Sequence, residues 1–269
     1  MKKIFLAVVV LLAWQGWAYA QNTFKGMIEF EATVRIDVES IRQNNPEAAA
    51  NIPDVFNYTE KLFVNGNLGK VERIFPMMMG GGRNNPQQQQ RMMNQFRRFI
   101  PETYWNFSEK KVYTFSTLPK DSVNVDKYVV EKTIEFPQNI KKDEKKTKKI
   151  LGYNCKKATL KTDDDTYTIW YTTELGFTYS PLSQSTQGMQ RWGRGSANAP
   201  KLPVIVIENA VVMAVEGTDI GFEAKKISKD EVQEITMPTD AQKVTEEELR
   251  EIFQKRRGNF SRMTMGGGR

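Results

Sequence analysis

The sequence predicts a mainly β protein: a single curved antiparallel sheet with one C-terminal helix and one long irregular loop. Three observations support this fold class. Polar and apolar residues alternate along several runs, short turn sequences separate the runs, and helix signals are few. A meander of nine or ten strands with one apolar face curls to cover that face. We therefore expect a half-barrel.

The first strand is predicted between Phe24 and Val38, where even positions are mainly apolar and odd positions mainly polar. Three hairpins are predicted from strand-like runs on both sides of short polar turns. Their turns fall at Asn65-Gly66, Ser108–Lys111 and Asp163–Asp165. Further strands are expected within residues 125–136, 202–217 and 219–227.

One helix is predicted near the end of the chain. Thr245 and Glu248 have the spacing of a capping box, and Gly258 is the expected stop. An apolar stripe on this helix is expected to lie against the core; it consists of Leu249, Ile252 and Phe253. A short helix is also expected within residues 45–56, between the first two strands.

The chain begins with the pattern of a secretory signal peptide. Lys2 and Lys3 precede an apolar run that ends before Ala18-Tyr19-Ala20. We expect cleavage near Ala20 and a periplasmic or secreted protein. Residues 21–258 are predicted to form one β-rich domain, interrupted by a Met- and Gln-rich loop at about 76–98. Residues 259–269 are predicted to form a flexible glycine-rich tail.

Positive charge is concentrated in one segment. The chain has a formal net charge of +7, and residues 141–149 contain Lys141, Lys142, Lys145, Lys146, Lys148 and Lys149. Two interpretations stay open: a solvated loop between strands, or a docking patch for an anionic membrane surface, polysaccharide or envelope protein. No RNA-binding signature is present, so no nucleic-acid partner is expected.

The sequence offers few catalytic groups. It contains no histidine, which removes the commonest general base and the commonest metal ligand. The acidic run Asp163–Asp165 lies at a predicted turn, and Cys155 is predicted to be an inward strand residue rather than a reactive thiol. These features predict a protein that is not an enzyme and that has no cofactor.

Methionines occur in two glycine-rich segments: Met77, Met78, Met79, Met92 and Met93 in the loop, and Met263 and Met265 near the end. Clustered thioethers suit Cu(I), so a metal site is one alternative. The favoured interpretation uses their flexibility instead. It makes the five loop methionines a mobile lid over an apolar groove, with no metal.

Three stretches together resemble the GLPGLI family of exported proteins from Gram-negative bacteria. The first is Gly152-Tyr153-Asn154-Cys155 with Ala158, and the second is Trp170-Tyr171-Thr172. The third, Lys201–Ile207, keeps Leu202 and Pro203 but lacks both glycines of the naming motif. The resemblance implies a meander similar to the LolA-like half-barrels of periplasmic lipoprotein carriers. It implies no activity and no catalytic residues.

These considerations lead to three hypotheses for function. The leading one is an exported binding protein that holds a hydrophobic or acyl ligand on the concave face of its sheet. The predicted lining residues are Ile28, Phe30, Val34, Trp105, Tyr113, Trp170 and Ile205. The second is an envelope interaction protein that docks through the basic segment. The third is Cu(I) sequestration by the methionines.

Overall fold

The computed structural model describes residues 24–35, 38–44, 46, 54–74, 101–120, 124–163, 165–183 and 203–265. The strands are β1 (Lys25–Arg35), β2 (Val55–Asn65), β3 (Leu68–Ile74), β4 (Glu102–Asn106), β5 (Lys111–Pro119), β6 (Val125–Thr133), β7 (Ile140–Ile150), β8 (Tyr153–Lys161), β9 (Thr166–Thr172), β10 (Val211–Glu216), β11 (Ile220–Ser228) and β12 (Gln242–Lys243). The helices are α1 (Val38–Asn44) and α2 (Glu246–Met265). The predicted signal peptide and the Met- and Gln-rich loop lie outside the described residues.

The described strands form one curved sheet, which confirms the predicted fold class. The strand order is β12-β6-β5-β4-β3-β2-β1-β11-β10-β9-β8-β7. The chain runs as a meander from β1 to β6, crosses to the opposite edge, and returns inward from β7 to β11. Strand β11 then pairs with β1, which places the first strand in the middle of the sheet. Neighbouring strands are antiparallel except β12, which lies parallel to β6.

The inner face of the sheet, which carries Ile28, Phe30 and Ala32 of β1, is covered by the chain's own segments. These three residues are at most 1% exposed. Side chains from the segment after β9 and from the segment before β10 join them in one core cluster: Leu175, Phe177, Tyr179, Leu182, Ile205, Val206 and Ile207. A sheet with one apolar face needs a second layer. Here irregular segments supply much of that layer.

The outer face carries a smaller apolar cluster. Met27 alternates with Ile28 along β1 and therefore points to the opposite side of the sheet. It packs with Phe63 and Tyr104 from neighbouring strands, and Ile235 and Met237 lie in the same cluster. The segment after β11 thus covers part of the outer face.

Helix α2 confirms the predicted capping box and apolar contact. The Thr245 backbone N–H donates to a Glu248 carboxylate oxygen at 2.8 Å, and the Glu248 N–H donates to the Thr245 hydroxyl at 3.1 Å. Leu249 packs with Leu118, Tyr128 and Val130. Neither described helix is long and apolar enough to span a membrane.

Two helix boundaries differ from the expectation. Helix α2 continues through Gly258 to Met265, so the predicted stop at Gly258 is wrong. A single glycine weakens a helix by only about 1 kcal/mol and does not have to end it. The short helix α1 lies at Val38–Asn44, before the predicted segment, and Val55 and Phe56 already belong to β2.

The lysine-rich segment is a strand, so the prediction of a loop between strands is wrong. Strand β7 is anchored at both ends by apolar residues, of which Ile150 is buried. Between Ile140 and Ile150 it pairs with β8 at the edge of the sheet. Lysine has low strand propensity but is common on exposed edge strands, where it discourages edge-to-edge association.

Asp165 ties the β8–β9 turn to the turn between β10 and β11. One carboxylate oxygen accepts the Thr218 backbone N–H at 2.6 Å. The other accepts the Thr218 hydroxyl at 3.0 Å and the Thr166 N–H at 2.7 Å. Desolvation of the carboxyl group raises its pKa, but these donors outweigh that effect and hold the pKa below its ordinary value.

We expect Asp165→Ala to lower the thermal midpoint at neutral pH, because three donors lose their acceptor. The folded-state pKa is lowered, so the stabilisation is present above the unfolded pKa of about 4 and is lost as pH falls through the folded pKa. The difference between variant and parent should therefore shrink below about pH 4. Thermal unfolding from pH 3 to pH 7 tests this, with Asp163→Ala in the same turn as control. A pH-independent difference would contradict the charged-acceptor explanation.

Candidate functional site

The structure places the seven predicted ligand-binding residues in different surroundings. Five belong to the closely packed inner core and are at most 8% exposed: Ile28, Phe30, Val34, Trp105 and Ile205. Trp170 is half-buried beneath the Lys148 ammonium, which lies 4.6 Å from the ring centroid. Tyr113 does not join them, because it packs against the outer-face cluster around Met27. Ligand binding by these residues stays a prediction.

The predicted lid cannot be placed against this core. Met77, Met78, Met79, Met92 and Met93 lie outside the described residues. The backbone of Met263 and Met265 belongs to the last turn of α2. The lid and the Cu(I) alternative therefore both stay predictions.

A buried polar network, which sequence reasoning missed, crosses the inner core. Glu60 of β2 is fully buried, and one carboxylate oxygen accepts the Tyr179 hydroxyl at 2.5 Å. The other accepts the Arg73 Nε–H at 2.6 Å. Burial, and then the Glu60 charge, raise the pKa of Tyr179 well above its usual value, so this phenol stays a neutral donor. A buried carboxylate needs such partners to offset its desolvation.

The polar groove is a recess of about 530 Å³ between β6, β12 and α2. It is lined by Lys120, Val125, Asp126, Lys127, Tyr128, Asp240, Gln242 and Arg256. The groove is open to solvent, and all of its lining residues except Val125 are polar or charged. A second groove of about 290 Å³ lies elsewhere, between the β7–β8 turn and β11. None of the seven predicted residues lines either groove.

Ion pairs hold the charged groups of the polar groove in position. Arg256 donates to Asp126 at 2.6 Å and to the Tyr128 hydroxyl oxygen at 3.0 Å. Lys127 donates to Asp240 at 2.5 Å. The parallel pairing of β12 with β6 sets Gln242 opposite Tyr128. Strand β12 is only two residues long, but it brings Asp240 and Gln242 to the groove.

The ion pairs of the groove also affect the ionisation of its carboxyl groups. Hydrogen bonding from Arg256 lowers the pKa of Asp126, and hydrogen bonding from Lys127 lowers the pKa of Asp240. Both carboxyl groups are therefore ionised acceptors at neutral pH and are unsuited to act as general acids. Together with the lysine, arginine and amide N–H groups, they place hydrogen-bond donors and acceptors side by side in the groove.

Other groups with chemical potential have structural roles. Cys155 is fully buried, and desolvation raises its pKa to about 11, so the thiol stays protonated. This agrees with the predicted inward strand position. Among the described residues, no group of three or more Cys, Asp or Glu side chains is placed to hold a metal ion.

The fold and the groove define a β-sheet domain with a polar surface recess, and comparisons show which known proteins it is similar to. The family model described as "N-glycanase peptide, N-terminal domain" matches residues 88–188. Two structures of PNGF-II, in space groups C2 and P21, are similar at 14% identity, with TM-scores of 0.49 and 0.48. The similarity covers 88% and 87% of this chain but 33% and 34% of those chains. This chain therefore spans about a third of their length. No curated protein sequence matches it.

The family match corrects the prediction that the protein is not an enzyme. Residues 88–188, fewer than half of the chain, match a model of the N-terminal domain of an N-glycanase, and this match contradicts that prediction. The prediction gave too much weight to the absence of histidine, because carboxyl groups also serve as acids and bases in hydrolysis. The GLPGLI resemblance is not addressed by these comparisons and stays a prediction.

Proposed function

We propose that the chain is a domain of an N-glycanase-like protein and that it binds glycan-bearing peptides in the polar groove. The observation that carries the proposal is the family match over residues 88–188. That segment includes five of the eight groove residues: Lys120 and the run from Val125 to Tyr128.

The chemistry of the groove supports a carbohydrate ligand. Sugar hydroxyls both donate and accept hydrogen bonds, and the groove offers ionised carboxylates beside the amide of Gln242. The ion pairs of Asp126 and Asp240 keep these acceptors oriented before a ligand arrives, which reduces the entropic cost of binding. The groove is polar, so it suits a glycan better than an acyl chain.

Binding of a neutral biantennary N-glycopeptide, measured by calorimetry, tests the proposal. We expect the Asp240→Asn/Gln242→Ala variant to bind about tenfold more weakly, since it loses a charged acceptor and an amide. The matched control is Glu223→Gln/Lys225→Gln in the second groove, where those two residues form an exposed ion pair. The control should bind as tightly as the parent.

Release of free glycan from the same glycopeptide, followed by mass spectrometry, measures activity separately from affinity. Equal affinity in the groove variant and in the parent would remove the groove from the proposal. A full chain that neither binds the glycopeptide nor releases its glycan would overturn the proposal itself.

A further inference from the structure

The β7–β8 hairpin carries positive charge equal to the net charge of the whole chain. Residues 140–161 contain nine lysines and two acidic residues, which gives +7, and the formal net charge of the chain is also +7. The formal charges of all the remaining residues therefore sum to zero. Asp163 and Asp165 follow in the next turn, where Asp165 is engaged by Thr218 and Thr166. Such a localised excess creates a strong local field rather than a diffuse one.

We name the exposed lysines of β7 the lysine ridge; they are Lys141, Lys142, Lys145, Lys146 and Lys149. Adjacent residues of a strand point to opposite faces, so Lys141 and Lys142 place their ammonium groups on opposite sides of the sheet edge. Lys148 and Lys149 do the same. The charges therefore border the edge on both sides, along the length of β7.

The ridge is poorly neutralised. Lys146 has a partner, Asp143, at 3.6 Å. Within the described part of the chain, no carboxylate lies within 4 Å of the other four ridge lysines, although Lys142 acts on Glu208 at longer range. Exposed ammonium groups that lack a close carboxylate attract polyanions over roughly 10 Å at an ionic strength of 0.1 M.

The shape of the edge discriminates between classes of polyanion. Added peptide strands need a continuous row of free backbone groups. Here the register slips between Asp143 and Thr147, so a bulge interrupts the row. Amphipathic membrane-binding helices combine basic with apolar side chains, whereas purely polybasic segments bind anionic lipid through charge alone and more weakly. The exposed positions from Lys141 to Lys149 hold only lysine, glutamate and threonine.

We propose that the lysine ridge binds a linear anionic polysaccharide that carries sulfate or uronate groups. A stiff linear chain lies along the edge and is contacted by lysines from both faces, without needing backbone pairing or an apolar contact. Its stiffness reduces the ordering cost relative to a flexible acidic peptide. Flexible lysines act as point charges, so they suit repeated anionic groups without strict geometry.

Titration of the full chain with size-defined heparin oligosaccharides tests the proposal. The triple variant Lys142→Gln/Lys145→Gln/Lys149→Gln should bind heparin at least tenfold more weakly than the parent. The matched control, Lys25→Gln/Lys226→Gln/Lys255→Gln, removes the same charge elsewhere and should change affinity less than twofold. Affinity in the parent should also fall linearly with salt on logarithmic axes, because binding releases counterions.

Three outcomes would overturn the proposal. Equal losses of heparin affinity in the two triple variants would show that the net charge of the chain, and not the lysine ridge, sets the affinity. Equal or tighter binding of poly-L-glutamate, with the same dependence on the ridge, would assign it to an acidic polypeptide. Equal or tighter binding to vesicles that contain phosphatidylserine would assign the ridge to an anionic membrane. None of these readouts depends on glycopeptide binding in the polar groove.

Discussion

Replacing Glu60 by alanine should destabilise the domain by about 3 kcal/mol. The substitution leaves the buried Tyr179 hydroxyl without its acceptor, removes the partner of Arg73 and opens a cavity beside Phe30. A third of the Arg73 side chain is exposed, so in the variant water can hydrate the guanidinium group and offset part of the lost ion pairing. For that reason we expect a loss below the upper value of about 5 kcal/mol for a broken buried pair. Urea denaturation measures it.

Two further variants test the cause of this effect. Tyr179→Phe removes only the hydroxyl, so it should lower the free energy of unfolding by less than Glu60→Ala does. The double-mutant cycle of Glu60 and Tyr179 should give a coupling free energy of about 1–2 kcal/mol. Glu131→Ala is the matched control, because Glu131 accepts from Lys111 and Lys243 at the surface. A loss in Glu131→Ala as large as that in Glu60→Ala would contradict the importance of burial.

Substitution of Gly26 by alanine should be the most damaging glycine substitution in the sheet. Gly26 has a φ of +140°, and an added Cβ would lie 2.1 Å from the Ser228 carbonyl oxygen on β11. Relief requires movement of the backbone at the β1–β11 pairing, which joins the two halves of the sheet. We expect a loss of about 3 kcal/mol or more, measured by thermal or urea unfolding.

Gly66 provides the control for conformational strain alone. It also has positive φ, at +63°, but an added Cβ meets no atom within 4 Å. Gly66→Ala should therefore lower the free energy of unfolding by about 1 kcal/mol, which is the cost of holding an alanine in the left-handed conformation when no clash is added. Similar losses of stability in Gly26→Ala and Gly66→Ala would show that backbone strain, and not the contact with Ser228, causes most of the effect. If Gly26→Ala does not fold, Gly26→Ser should fail as well, while Gly66→Ala remains folded.

The polar groove and the Glu60 network illustrate why the positions of polar side chains are harder to predict than the fold class. The groove combines Asp126 and Tyr128 with Asp240 and Arg256, more than a hundred residues later in the chain. No local spacing relates these positions. Glu60 and Arg73 occupy ordinary polar positions of two strands in sequence, and their burial follows from the packing of Tyr179 from a distant segment. The predicted aromatic and aliphatic residues mostly form the core.

The sequence by itself determined several of the strands and where the capped helix begins. Alternation along β1, the turn at Asn65-Gly66 and the Thr245–Glu248 box are short-range patterns, so they are readable without a partner. The sequence pattern predicted a loop at β7, because lysine has low strand propensity. This strand is stabilised by its pairing with β8, which the local pattern does not show.

Only the tertiary structure decided that the chain crosses from β6 to the far edge and that β11 pairs with β1. It also decided which polar side chains became buried and which formed a groove. These outcomes depend on contacts between residues that are far apart in sequence. Such contacts stabilise the protein only once the sheet is assembled and its two faces are covered.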